Sequence, residues 1–193
     1  MSLASLLDAN AAAPALAAHL DGLSPEARRA EALCLSRAHQ AKLFEAVDGA
    51  QALRVDDMTL EAAPLAGVPW EGLNSLPLFR SFAKVFYRPD DPTAARGERW
   101  GYNRTNGLVT TTVGPGYYVA VPHGAKEVLV DYTRTPPKTP VGGPTFLPND
   151  ARLSRFVYYG TQDVLRRVSA HVAIGRAMRA GTWLDNWFVL CRA

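Results

Sequence analysis

The sequence predicts an α+β protein in which an antiparallel β meander packs against an N-terminal helical region and a C-terminal amphipathic helix. Three observations predict it: a capped helical stretch opens at Ser24, strand-like runs between Trp100 and Arg134 are separated by turn residues, and the apolar spacing after Thr161 follows a helical period. With 193 residues, one hydrophobic core is expected, so the chain is read as a single domain over 1–193. Within it the helical region covers 1–50, the meander 78–134, a Pro/Gly-rich loop 135–150, and the last helix with a closing strand 151–193.

The N-terminal helix is expected from Ser24 to Asp48. Ser24 can cap it, Pro25 suits the first turn, Glu26 favours the positive end of the helix dipole, and Gly49 supplies the stop. At 100° per residue, Ala27, Ala30, Leu33, Cys34, Ala38, Ala41 and Phe44 share one broad face. The segment Pro14–Leu20 is its natural first partner. Between Val55 and Pro77, five prolines and glycines interrupt every regular pattern, so this stretch reads as connection with Trp70 as an apolar anchor. A short helix from Leu78 is expected to run into a strand in which Phe82, Lys84, Phe86 and Arg88 alternate.

The meander is the best-marked region. Trp100–Thr105 and Leu108–Val113 flank Asn106-Gly107, a pair suited to the positive φ angles of a type I′ hairpin turn. Tyr117–Val121 and Glu127–Arg134 follow across the turn-rich Pro122-His123-Gly124-Ala125-Lys126. In the last run Val128, Val130 and Tyr132 alternate with Glu127, Leu129 and Asp131, which predicts one core face. The final helix is expected from Thr161 to Ala180, capped by Thr161 and stopped by Gly181, and Trp183–Cys191 reads as a closing strand.

Composition limits function. Nearly half the residues are hydrophobic and a fifth charged, unlike a disordered chain. No apolar run approaches the roughly 20 residues of a membrane span, and the alanine-rich start lacks the basic region of a secretory leader. Cys34 and Cys191 show no CxxC or metal spacing and are expected as reduced core thiols, so the sequence points to a soluble cytoplasmic protein. Net charge is +3, but residues 1–97 carry 9 basic and 12 acidic groups against 12 and 6 in 98–193. Of 21 basic residues 17 are Arg, which fits anion recognition and fits GC-rich codon usage equally well.

His171 is the candidate catalytic residue, because it falls within the apolar face formed by Val164, Leu165, Val168, Val172, Ile174 and Met178. Buried histidines more often serve as hydrogen-bonded structural residues. Gly175, one turn later, implies that something approaches the chain closely there. The candidate ligand-binding residues are Tyr102, Arg104, Tyr117, His123, Arg155, Tyr158, Thr161 and Gly175, polar, aromatic or small positions at element ends. The Gly114-Pro115-Gly116 corner fits neither a dinucleotide fingerprint nor a phosphate loop. No GxSxG, HExxH, EF-hand or CxxC motif occurs, so no metal is expected, and no cofactor or oligomeric state is specified.

The leading expectation is a domain that binds a small polar or anionic molecule in a cleft between the meander and the last helix, with catalysis open. The alternative is a noncatalytic protein–protein interaction module. Electrostatic nucleic-acid binding ranks third, because Arg166, Arg167, Arg176 and Arg179 fall at separate wheel angles and form no stripe.

Overall fold

The computed structural model describes residues 1–76, 80–105, 114–149, 158 and 160–192. Eight strands form a closed antiparallel barrel in simple chain order: β1 Val68–Asn74, β2 Ser81–Tyr87, β3 Arg99–Arg104, β4 Tyr117–His123, β5 Glu127–Asp131, β6 Thr161–Arg167, β7 Val172–Arg179 and β8 Thr182–Cys191. Antiparallel pairing of β1 with β8 closes the sheet, so the barrel has no free edge.

This architecture replaces the expected meander packed on a C-terminal amphipathic helix. The stretch expected as a helix over 161–180 is the β6–β7 hairpin, in which Thr161 pairs with Arg179 and Leu165 with Gly175. Its apolar spacing misleads for a physical reason. Leu165 and Ala173 point into the barrel while Val164, Val172 and Ile174 are buried on the outside, so both faces are apolar and the two-residue alternation of a half-exposed strand is lost.

Four short helices precede the barrel: α1 Leu3–Asp8, α2 Ala13–Asp21, α3 Pro25–Ala32 and α4 Arg37–Ala46. The single helix expected over Ser24–Asp48 is two helices. Ser24 does cap α3, accepting from Ala27 N at 3.3 Å, but Ser36 caps a second start by accepting from His39 N at 3.2 Å. The break turns Cys34 outward, so only Cys191 is a core thiol. Leu3, Leu7, Leu16, Leu20, Leu35, Leu43 and Phe44 bury the helical layer against Leu73, Val172, Ile174, Val189 and Cys191 on the outer face of the barrel.

Two other expectations change. Trp70 belongs to β1 rather than to a connection, and Pro69 and Gly72 are tolerated within that strand. Residues 81–83 are strand, not helix. The Asn106-Gly107 turn and the strand expected at 108–113 lie outside the described residues. β3 pairs directly with β4, and Val128, Val130 and Tyr132 face the interior as their alternation implies.

Eight strands leave a lumen just wide enough to be filled by side chains or to hold one small ligand. Three interior glycines shape it. Gly72, Gly101 and Gly175 lie directly opposite Phe82, Tyr118 and Phe188 on the neighbouring strands, and each aromatic ring lies where a Cβ on its glycine would stand. A small residue beneath each ring lets three aromatic side chains fold across the narrow interior.

One end of the barrel is plugged. Residues 52–59, including a 3₁₀ turn at Val55–Met58, insert Leu53, Val55 and Met58 beneath Trp70, whose Nε1 donates to Met58 O at 3.0 Å. Three arginines grip this segment. Arg99 donates to Thr59 Oγ1 at 2.8 Å and to Asp56 Oδ1 at 2.5 Å, Arg167 donates to Ala52 O at 2.7 Å and pairs with Asp57, and Arg192 donates to Asp57 O at 2.8 Å. The β1–β2, β3–β4, β5–β6 and β7–β8 connections all leave from the opposite end. Of the loop expected over 135–150, the described residues 135–149 strap the outer face of β2–β4, where Tyr87 and Tyr117 donate to Lys138 O at 2.8 Å and Pro144 O at 2.6 Å.

Candidate functional site

The polar centre of the molecule lies inside the barrel, toward the end away from the plug. Lys84 on β2 points inward between Phe82 and Phe86, and only 2% of it is exposed. Its Nζ forms an ion pair with Asp163 Oδ2 at 2.9 Å, donates to Asn103 Oδ1 at 3.2 Å, and hydrogen-bonds to the Tyr132 hydroxyl. Asn103 is the cross-strand partner of Lys84, and its Nδ2 donates to the same hydroxyl at 2.9 Å. Asp163 enters from β6 opposite Val130.

Four rings surround the ammonium group. The centroids of Tyr132, Phe188, Tyr118 and Phe82 lie 4.9, 5.0, 5.1 and 5.9 Å from Nζ. Aromatic faces attract a cation, and the effect grows once water is excluded. Three of these rings, Phe82, Tyr118 and Phe188, are at once the rings that overlie Gly72, Gly101 and Gly175. The cage therefore depends on the glycine positions.

Burial sets the protonation of the cluster. Loss of solvent lowers the Lys84 pKa, and the charge and hydrogen bond of Asp163 oppose that fall. Burial raises the Tyr132 and Tyr118 phenols well above their usual value, Asp163 adds to the rise, and both stay protonated. Tyr158 stacks on Tyr132 with ring centroids 5.1 Å apart and planes 24° apart, and its ring stands where a Cβ on Gly116 would be. Gly116 has φ +55, and any side chain there would meet both backbone strain and the Tyr158 ring. Burial also raises the Tyr158 phenol, partly offset by a hydrogen bond with Asn103.

The residues singled out from the sequence are scattered. Tyr158 is in the cluster, Gly175 lines the interior beneath Phe188, and Thr161 adjoins it, donating through Oγ1 to Tyr158 O at 2.6 Å. Tyr102 and Tyr117 sit on the outer face, 5.6 Å apart, with Tyr117 packed on Phe146 of the strap. Burial raises both phenols, Tyr117 to about 12. Arg104 pairs with Glu71 on the surface at 2.9 Å, His123 lies 4.0 Å from Glu127 at the plugged end, and Arg155 is outside the described residues.

His171 lies in the turn before β7, at the plugged end beside the helices and away from Lys84. Its Nδ1 is buried and unpartnered among the described residues. Its pKa is lowered by burial first and then by Arg28 and Arg192, with Asp21 opposing. The cleft expected between meander and last helix does not exist, because that helix is a hairpin.

Lys84, Tyr132 and Asp163 are not among the candidates the sequence singles out. The available signal was a charge on an apolar stripe read with a period of two: Lys84 between Phe82 and Phe86, and Asp163 two residues before Leu165. Among the described residues, no group of three or more His, Cys, Asp or Glu side chains is placed to hold a metal ion. No described helix is long and apolar enough to cross a membrane. Comparison with family models, curated proteins and solved structures finds no match to this chain.

Proposed function

We propose that the barrel binds one small molecule toward the end away from the plug, with a carbonyl or carboxylate oxygen directed at Lys84, Asn103 and Tyr132 and a flat apolar body among the rings. The observation that carries this reading is the buried Lys84–Asp163 pair within four aromatic side chains. Two buried charges cost more desolvation than their attraction returns unless the geometry is excellent, and apolar residues of equal volume commonly serve stability as well or better. A barrel core built for stability alone has no need of them.

The donors favour an oxygen ligand. Tyr132 already accepts from Lys84 and Asn103, so its own hydroxyl proton is what it can offer to a guest. The stacked Tyr158 ring indicates the shape that fits beside Tyr132, a flat ring carrying a polar oxygen. This keeps a small polar or anionic ligand but moves it from a cleft between the meander and the last helix to the barrel interior. The unpaired thiols of Cys34 and Cys191 fit a reducing, cytoplasmic setting.

Thermal unfolding with benzoate as probe tests the reading, alone and in Lys84→Met. Benzoate at 100 times its dissociation constant stabilises the native protein by about 2.7 kcal/mol, so the midpoint should climb with concentration in the wild type. It should stay fixed in Lys84→Met. An equal rise in both proteins, or none in either across flat carboxylates and ketones, overturns the proposal.

A further inference from the structure

We propose that Lys84 is a nucleophilic amine that captures aldehydes or ketones in the barrel as a covalent imine. This rests on the interior binding site proposed above and narrows its ligand to a reactive carbonyl compound. Lysine becomes a nucleophile when it is desolvated and has a base within reach to take its proton. Lys84 meets both conditions, being buried among Phe82, Tyr118, Tyr132 and Phe188 with Asp163 Oδ2 at 2.9 Å.

Transfer of one proton from Nζ to the Asp163 carboxylate removes two buried charges at once, which offsets the desolvation cost of each. The lowered pKa of Lys84 is in the same direction. The neutral amine lone pair then forms the C–N bond as the carbonyl π pair moves to oxygen. That oxygen takes the proton from Asp163, and the nitrogen returns one of its own to the carboxylate, giving a neutral carbinolamine beside a carboxylic acid. Asp163 next protonates the hydroxyl, which leaves with the C–O bonding pair as water while the nitrogen lone pair closes C=N. In sum, ammonium and carbonyl compound give iminium and water, and Asp163 ends as the carboxylate it began as.

The product is again a single cation opposite Asp163 and inside the same four rings, so the cage that holds the ammonium also suits the iminium. Tyr132, protonated and hydrogen-bonded to both Lys84 and Asn103, is placed to orient the carbonyl oxygen during addition. The chain has three other lysines, Lys42, Lys126 and Lys138, and all are exposed. They serve as internal controls.

The experiment treats the intact protein at pH 7 with benzaldehyde and cyanoborohydride, which reduces any imine to a stable benzylamine, and maps the modified lysines by peptide mass spectrometry. A lowered pKa raises the free-amine fraction of Lys84 near neutrality. Lys84 should therefore be benzylated faster than each of the exposed three, and excess benzoate should suppress that labelling alone. A urea-unfolded sample should lose the preference. Equal or surface-only labelling overturns the imine proposal. If benzoate still stabilises the wild type and not Lys84→Met, the binding reading survives that failure, and if it stabilises neither, both fall.

Discussion

Lys84 Nζ lies 2.9 Å from Asp163 Oδ2 across the barrel interior, and each residue is more than nine-tenths buried. Removing one member leaves the other as an uncompensated buried charge. Lys84→Met and Asp163→Leu should each destabilise by about 3–5 kcal/mol in urea unfolding, whereas the double variant should recover most of that loss. Additive losses would show that the pair is not coupled as its geometry requires.

Gly175 is the second sensitive position. A Cβ there would stand inside the Phe188 ring and press on Leu165, so Gly175→Ala should cost about 1–3 kcal/mol by overpacking. Gly97→Ala is the control, since nothing lies within 4 Å of that added carbon and φ is −135. Pairing Gly175→Ala with Phe188→Leu should return part of the loss, read as a shift of the urea midpoint at unchanged slope.

How much of this was legible in the sequence follows from which faces are wet. β5 was readable because Glu127 and Leu129 are only partly covered while Val128 and Val130 are fully buried, so the alternation survives. β6 and β7 were not, because the helical layer covers Val172 and Ile174 on the outside. Two buried faces mimic a helical stripe, and that error took His171 and Gly175 for neighbours on one helix. The close approach at Gly175 was a sound inference whose cause is the Phe188 ring. Nothing local marks the Lys84–Asp163 pair, since the partners are 79 positions apart and meet only when the barrel closes.

His171 makes a pH-dependent contribution. Its folded pKa is lowered by burial and by Arg28 and Arg192, against the pull of Asp21. The unfolded chain, with an ordinary pKa near about 6.5, therefore binds more protons than the native state in the window just below that value. Stability is full above the unfolded pKa and falls as the pH drops toward the folded one. Urea midpoints from pH 7.5 to 5.5 should decline more steeply in the wild type than in His171→Gln, and parallel curves would refute the assignment.

The plug at the closed end should open locally when one of its arginines is removed. Arg167 holds Ala52 O and Asp57, and the neighbouring Leu53 amide donates to Lys126 O at 2.9 Å. Hydrogen bonds to a charged group contribute about 1.5–3 kcal/mol each, so Arg167→Ala should speed exchange of the Leu53 amide by about tenfold to a hundredfold. The Val130 amide, in the middle of β5 and away from the plug, reports on global opening instead. If both amides accelerate together, Arg167 supports the whole barrel. If Leu53 accelerates alone, the plug is a separate unit whose hold on Trp70, through the Nε1 bond to Met58 O, can be released without unfolding the strands.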